Sequence, residues 1–224
     1  MFTPTIFLPE VDSNKEMVSL EDSKVHHLKN VLRIKDYENI NISNGVGELL
    51  LGRFVKDHVE INSQKKYSRK NEISIFVPYL REKNRFRFMI EKLVELNVYR
   101  LFIGKTQNTQ NTKLDIKKIH NWAISAVEQS GTPFFPKIEI TDSINYKIFN
   151  SCFDISGDTF NKEKADVKSF AIGPEGGWTN EELSNFQYKY KISDFSLRTE
   201  TAAISALSLV TVSYTHLTLP TTHC

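Results

Sequence analysis

The chain has 224 residues, a formal net charge of +2 and 40% hydrophobic residues, which fits one or two globular domains with a sizeable core and excludes a long-range electrostatic field as its main device. No apolar run approaches a membrane span, and the N-terminus Met1-Phe2-Thr3-Pro4 lacks the charged and apolar regions of an export signal, so a cytoplasmic protein with no membrane attachment is expected. The two cysteines, Cys152 and Cys224, are too few for a disulfide framework and lack metal-ligand spacing, and the six histidines form no H-E-x-x-H pattern; no metal is implied.

Up to residue 70, runs at 5–8, 38–43, 48–55 and 58–62 read as strands, with Asn44-Gly45-Val46-Gly47 as a hairpin turn and one helix near residues 23–32. Short strands at that spacing predict a small β-barrel. Beyond residue 70, strand-like runs at 72–77, 99–103, 153–155, 169–172 and 192–197 alternate with helical patterns, which predicts a largely parallel sheet. The helix at 83–97 lines up Phe86, Met89, Ile90, Leu93 and Leu96, and the helix at 114–129 lines up Ile119, Trp122, Ala123 and Ala126; both stripes read as core.

Between residues 65 and 87, Lys65, Lys66, Arg69, Lys70, Arg81, Lys83, Arg85 and Arg87 outnumber Glu72 and Glu82. Such a cluster suits a phosphate backbone, and on composition alone it suits a solvated linker face equally well. Lys83 and Arg85 fall in a first helical turn, where the helix dipole disfavours cations, so another reason for their presence is expected.

Two segments near the C-terminus carry the chemistry. Ile172-Gly173-Pro174-Glu175-Gly176-Gly177-Trp178 follows a short apolar run and precedes Thr179, which with Glu182 reads as a capping box opening a helix. Its glycines permit close backbone approach to a flat ligand. Its spacing matches neither G-x-G-x-x-G nor a P-loop, and Glu175 would repel a phosphate, so a neutral or cationic ligand is expected. Twenty residues on, Leu197-Arg198-Thr199-Glu200-Thr201-Ala202-Ala203 joins the run at 192–197 to a helix of small side chains. Two strand-to-helix turns are where an α/β sheet holds a ligand.

In this order and spacing, the two segments resemble the ribosomal RNA small subunit methyltransferase E family, a SPOUT-class group that methylates N3 of a uridine in 16S rRNA. His27-Leu28-Lys29-Asn30-Val31-Leu32-Arg33, Glu91 to Leu96 and Ala126 to Gly131 are similar to further motifs of that family, so the resemblance spans roughly residues 5–213. It implies an α/β fold: a PUA-like RNA-binding β-barrel at 1–70 and a trefoil-knotted SPOUT methyltransferase domain at 71–213, followed by an atypical tail at 214–224. It further implies S-adenosylmethionine as cofactor, 16S rRNA or the small ribosomal subunit as partner, and a homodimer. Ile172, Gly173, Pro174, Gly176, Gly177, Ser196, Leu197, Thr199, Thr201 and Ala202 are expected to bind the cofactor, and a branched side chain at Gly176 to block it.

Uracil N3 must lose its proton before it can attack a sulfonium methyl, and a cation beside O2 or O4 would stabilise the developing anion, with Arg198 the first candidate and Glu200 its orienter or proton acceptor. Glu95 and Glu128 are weaker candidates, and Arg33, Lys65, Lys66, Arg69, Arg81 and Lys83 are expected to contact RNA phosphates. The chain departs from the family at Thr5 and Thr132, where arginines are expected, at Tyr37 and Asn97, where glycines are expected, and in the Thr-rich tail. An RNA-binding module of the same fold without turnover is the competing reading, and an unrelated nucleotide-binding α/β protein the third.

Overall fold

The computed structural model describes residues 3–109, 115–161 and 166–216, and the chain divides into two compact units: residues 1–69 with 124–135, and residues 70–123 with 136–224. The first unit holds β1 (Thr5–Phe7), β2 (Met17–Ser19), α1 (Asp22–His26, continuing as a π-helical turn, His27–Val31), β3 (Asn39–Ser43), β4 (Glu48–Val55) and β5 (His58–Lys66). Its sheet runs β1-β3-β4-β5-β2, antiparallel except for β1 beside β3. That order has two ends, so the expected barrel is a half-barrel among the described residues. The expected hairpin turn is present: the Asn44 side-chain oxygen accepts from the backbone N–H of Val46 (2.9 Å) and Glu48 (3.0 Å).

Alternate residues of β3 and β4 turn Ile40, Ile42, Leu50 and Phe54 into the core, where Leu28 and Val59 join them. Arg33 adopts φ 56, and the Ile34 N–H closes back on the Leu28 carbonyl at 3.0 Å, which ends the helix without glycine. Residues 124–135 add internal ties to this unit: Glu128 accepts from the Phe7 N–H (3.0 Å) and pairs with Lys24 (2.7 Å), while Phe135 stacks on Phe7. The two departures from the family's arginines also lie here. Thr5 is buried with its hydroxyl unpartnered, and the Thr132 carbonyl accepts from Ser43 Oγ at 2.9 Å.

The second unit holds β6 (Ser74–Pro78), α2 (Lys83–Glu95), β7 (Arg100–Gly104), the start of α3 (Ile116–Ser130), β8 (Lys137–Thr141), β9 (Ser151–Thr159), β10 (Ser169–Ile172), α4 (Asn180–Ser184), β11 (Tyr188–Lys191) and α5 (Thr199–His216). Its six-stranded sheet, ordered β11-β9-β10-β6-β7-β8, is parallel throughout. A parallel sheet is covered on both faces, and the central strands are apolar in both directions accordingly. Ile75, Val77, Leu101, Ile103, Phe170 and Ile172 pack with α2 and α5, while Phe76, Phe102, Cys152 and Ala171 pack with Phe149, Trp178 and Phe186. Burial pushes the Cys152 thiol up to about 12, so at neutral pH it is an inert core residue.

The strand expected at 192–197 lies instead at Tyr188–Lys191. Lys191 Nζ bonds Asp194 at 2.6 Å and the Phe195 N–H bonds Ser193 Oγ at 3.1 Å, so local side-chain bonds turn the backbone away from the ladder. Helix α5 starts at Thr199 and runs through His216, so the first three residues of the segment at 214–224 continue it; residues 217–224 lie outside the described residues. Among the described residues no helix is long and apolar enough to cross a membrane, and no group of His, Cys, Asp and Glu is placed to hold a metal ion.

Candidate cofactor site

The glycine loop at 173–178 leaves the C-terminal end of β10 and is fixed by its own backbone. The Gly177 N–H bonds the Pro174 carbonyl at 2.9 Å, and Gly177 sits at φ 72, a conformation that a side chain would strain. Gly173 is required for a different reason, because a Cβ there would lie 2.9 Å from Trp178 Nε1. The loop then enters α4 through the expected capping box: Thr179 Oγ1 accepts from the Glu182 N–H (3.2 Å) and the Glu182 carboxylate from the Thr179 N–H (2.9 Å). Glu182 is buried and its second oxygen accepts from the Gln107 N–H at 2.8 Å. Beside it, Asn108 Nδ2 donates to the Gly176 (3.2 Å) and Gly177 (2.9 Å) carbonyls, so the loop after β7 props the glycine loop.

The second loop, residues 192–198, runs from β11 into α5. Its junction with the first is direct: Thr199 Oγ1 donates to the Gly173 carbonyl at 3.2 Å. A stronger link comes from α2, where Arg85 Nε and Nη2 donate to the two oxygens of Glu200 at 2.8 and 2.7 Å and Nη1 pairs with Glu175. The Arg85 hydrogen bonds hold the Glu200 carboxyl below the usual carboxylate range although burial opposes this, and the same contacts push the Arg85 guanidinium further up. The hydrogen-bonded partner of Glu200 is therefore Arg85, and not Arg198 as the orienting role expected.

Between the loops lies a cavity of about 460 Å³. Eight of the ten expected cofactor residues line it: Ile172, Gly173, Pro174, Gly177, Ser196, Leu197, Thr199 and Ala202. Gly176 and Thr201 do not; Gly176 faces Asn108, so a branched side chain there would strike the prop and not the cavity. Arg198 lines the cavity with an exposed side chain, while Glu200 stands behind the wall. Sequence reasoning missed Arg85, Asp154, Ile155 and Trp178 as lining residues, and Phe195, 81% exposed on the second loop. The Trp178 indole N–H is buried without a partner.

The other expected residues lie elsewhere. Glu95 pairs with Lys92 at 2.7 Å and Glu128 ties β1 to α1, and neither lines the cavity. In the first unit, Arg33 and Lys65 are exposed, Lys66 pairs with Glu48 at 2.9 Å, and Arg69 lies over the Phe134 ring at 4.4 Å. In the second, Arg81 and Lys83 are exposed around the start of α2.

A mostly uncharged cavity at the C-terminal ends of β10 and β11, beside Phe153–Ile155 in the middle of β9, defines an α/β protein with a small-molecule site of ordinary volume, about 300–1,000 Å³ being typical. The family model for the RNA methyltransferase domain matches residues 67–211, and the chain belongs to that family. It is 27% identical to the ribosomal RNA small subunit methyltransferase E of Buchnera aphidicola, over 94% of this chain and 96% of that protein. The corresponding protein of Rickettsia conorii is 26% identical over 91% of this chain and 92% of its own length. Among solved structures, the Neisseria gonorrhoeae ribosomal RNA small subunit methyltransferase E bound to S-adenosylmethionine superposes with TM-score 0.79 at 26% identity, covering 94% of this chain and 98% of that one.

Proposed function

We propose that the protein is an S-adenosylmethionine-dependent methyltransferase acting on N3 of a uridine in 16S rRNA, with the half-barrel unit as a PUA-like RNA-binding module, a trefoil knot in the parallel-sheet unit, and a homodimer as the working form. The observation that carries the reading is the convergence of the two loops on one cavity, together with membership in the RNA methyltransferase family. The residues present suit the cofactor. Backbone groups of residues 172–174 and 196–197 offer donors and acceptors to an adenosyl group, and the charge of Glu175 is compensated by Arg85. When bound, S-adenosylmethionine supplies an activated methyl group on a cationic sulfur.

What remains for the chain is to hold the base and favour loss of its N3 proton. Arg198 lines the cavity with an exposed side chain that acts on the Glu200 carboxylate only through its charge, so its guanidinium can reach a uracil oxygen and the negative charge that develops there. The exposed Phe195 ring offers a surface on which an unstacked base can lie. Arg33, Lys65, Lys66, Arg69, Arg81 and Lys83 supply cationic contacts to the RNA backbone. Calorimetry with S-adenosylmethionine, then transfer to unmodified small-subunit rRNA read by nucleoside mass spectrometry, tests the proposal. N3-methyluridine is the expected product. Cofactor binding without transfer would favour the RNA-binding module, and no cofactor binding would remove the enzyme reading.

A further inference from the structure

Arg85 occupies the first turn of α2, a position where the helix dipole gives a cation no support, and it reaches the glycine loop and the start of α5, into which the second loop runs. Its guanidinium takes both Glu200 oxygens at 2.8 and 2.7 Å and contacts Glu175 with the remaining nitrogen. Glu175 belongs to the glycine loop and Glu200 to the first turn of α5, so one planar fork spans the two halves of the site. Each half has its own internal fixings, namely the capping box and Asn108 prop on one side and the helical turn on the other. Between the halves, the neutral Thr199 to Gly173 bond at 3.2 Å is the other hydrogen bond described.

We propose that Arg85 is a positioning residue that sets the spacing of the two loops, so that the cofactor meets a preformed cavity and spends none of its binding energy on assembling one. The inference rests on reading the cavity as the S-adenosylmethionine site. The charged groups facing Glu200 are Arg85 from α2 and Arg198 from the preceding loop, with Glu175 sharing Arg85. Removing Arg85 leaves a buried carboxylate with only the exposed Arg198 nearby, and burial then favours its protonated form. An ion pair that served stability alone would lower the melting temperature and leave the affinity of the folded fraction, and its pH profile, unchanged.

The test is calorimetric titration of S-adenosylmethionine into wild type, Arg85→Met, Arg85→Lys and the double variant Arg85→Met/Glu200→Gln, at several pH values from mildly acidic to neutral. Arg85→Met is expected to weaken binding about 10–100-fold, the scale set by small misplacements of a site. Arg85→Lys should fall between it and wild type, since the charge stays and the fork is lost. In Arg85→Met affinity should decline further as pH falls, while wild type and the double variant, which has no carboxyl at position 200, stay flat. If wild type binds and Arg85→Met matches it in affinity and pH profile, the positioning role is overturned. Wild type failing to bind would instead overturn the cofactor reading. Should Arg85→Met not fold, Arg85→Lys and Glu175→Gln carry the test, and wild-type affinity in both overturns the role.

Discussion

Gly173→Ala isolates the steric requirement of the cavity. The added methyl would lie 2.9 Å from Trp178 Nε1, 3.1 Å from Cδ1 and 3.2 Å from Cε2, against about 3.5–4.0 Å for favourable contact. The indole cannot retreat easily, being 8% exposed and packed edge-on against Phe186 with ring centroids 5.0 Å apart. Relief therefore requires the Gly173–Pro174 backbone to shift, and that backbone lines the cavity. Overpacking of this kind costs about 1–3 kcal/mol, and each kcal/mol lowers the melting temperature by about 2–4 °C in a chain of this size. The same shift displaces the carbonyl that accepts from Thr199, so S-adenosylmethionine affinity should fall about tenfold or more. Gly176→Ala is the comparison: its Cβ would meet the Asn108 Cβ at 3.1 Å and the residue lies off the cavity wall, so any loss it shows acts through the prop. Melting curves and calorimetry on both variants measure the difference. If Gly173→Ala melts and binds as wild type does, the close indole approach does not shape the site.

Thr179→Ala should cost about 1 kcal/mol by opening the capping box, read by denaturant titration, with Glu182 keeping its bond to Gln107. Arg198→Ala should leave S-adenosylmethionine affinity within about twofold and lower the single-turnover transfer rate about 100-fold, the order seen when one oxyanion donor is removed; an unchanged rate would clear Arg198 of the role. Replacing Lys65, Lys66 and Arg69 together with Ala should weaken RNA association and reduce the slope of log affinity against log salt by about two. Filter binding across a salt series gives that slope, and an unaltered value would place the RNA path elsewhere.

The fold was legible where one residue pattern decides one element. The apolar runs at β6, β7 and β10 and the stripe on α2 read correctly because burial on both faces of a parallel sheet leaves continuous hydrophobic segments. Edge strands lack that signal. β8 is a half-buried Lys-Ile-Glu-Ile-Thr segment, and β2 is three residues whose pairing with β5 decides their state. β11 was displaced by a few residues because Ile192, Phe195 and Leu197 look strand-like, whereas Ser193 and Asp194 turn the backbone and leave Phe195 exposed.

The site divides along the same physical line. Gly173, Gly177 and the Thr179 capping box advertise themselves because tight turns and helix starts are made by neighbouring residues. Arg85 does not, because its partners lie 90 and 115 residues away and only the folded chain brings α2 beside α5. The sequence held one indirect sign of it, a cation in a helical turn that disfavours cations. That sign says a side chain has a use beyond its helix without saying which, and the ion pair to Glu200 supplies the rest. The same pairing gives Glu200 Arg85 as its partner in place of Arg198, and the Arg85 hydrogen bonds hold its carboxyl below the usual carboxylate range. On the proposed reading, positive charge at the uracil oxygens favours loss of the substrate proton, and Arg198, which lines the cavity, is the residue on which the transfer rate is expected to depend most steeply.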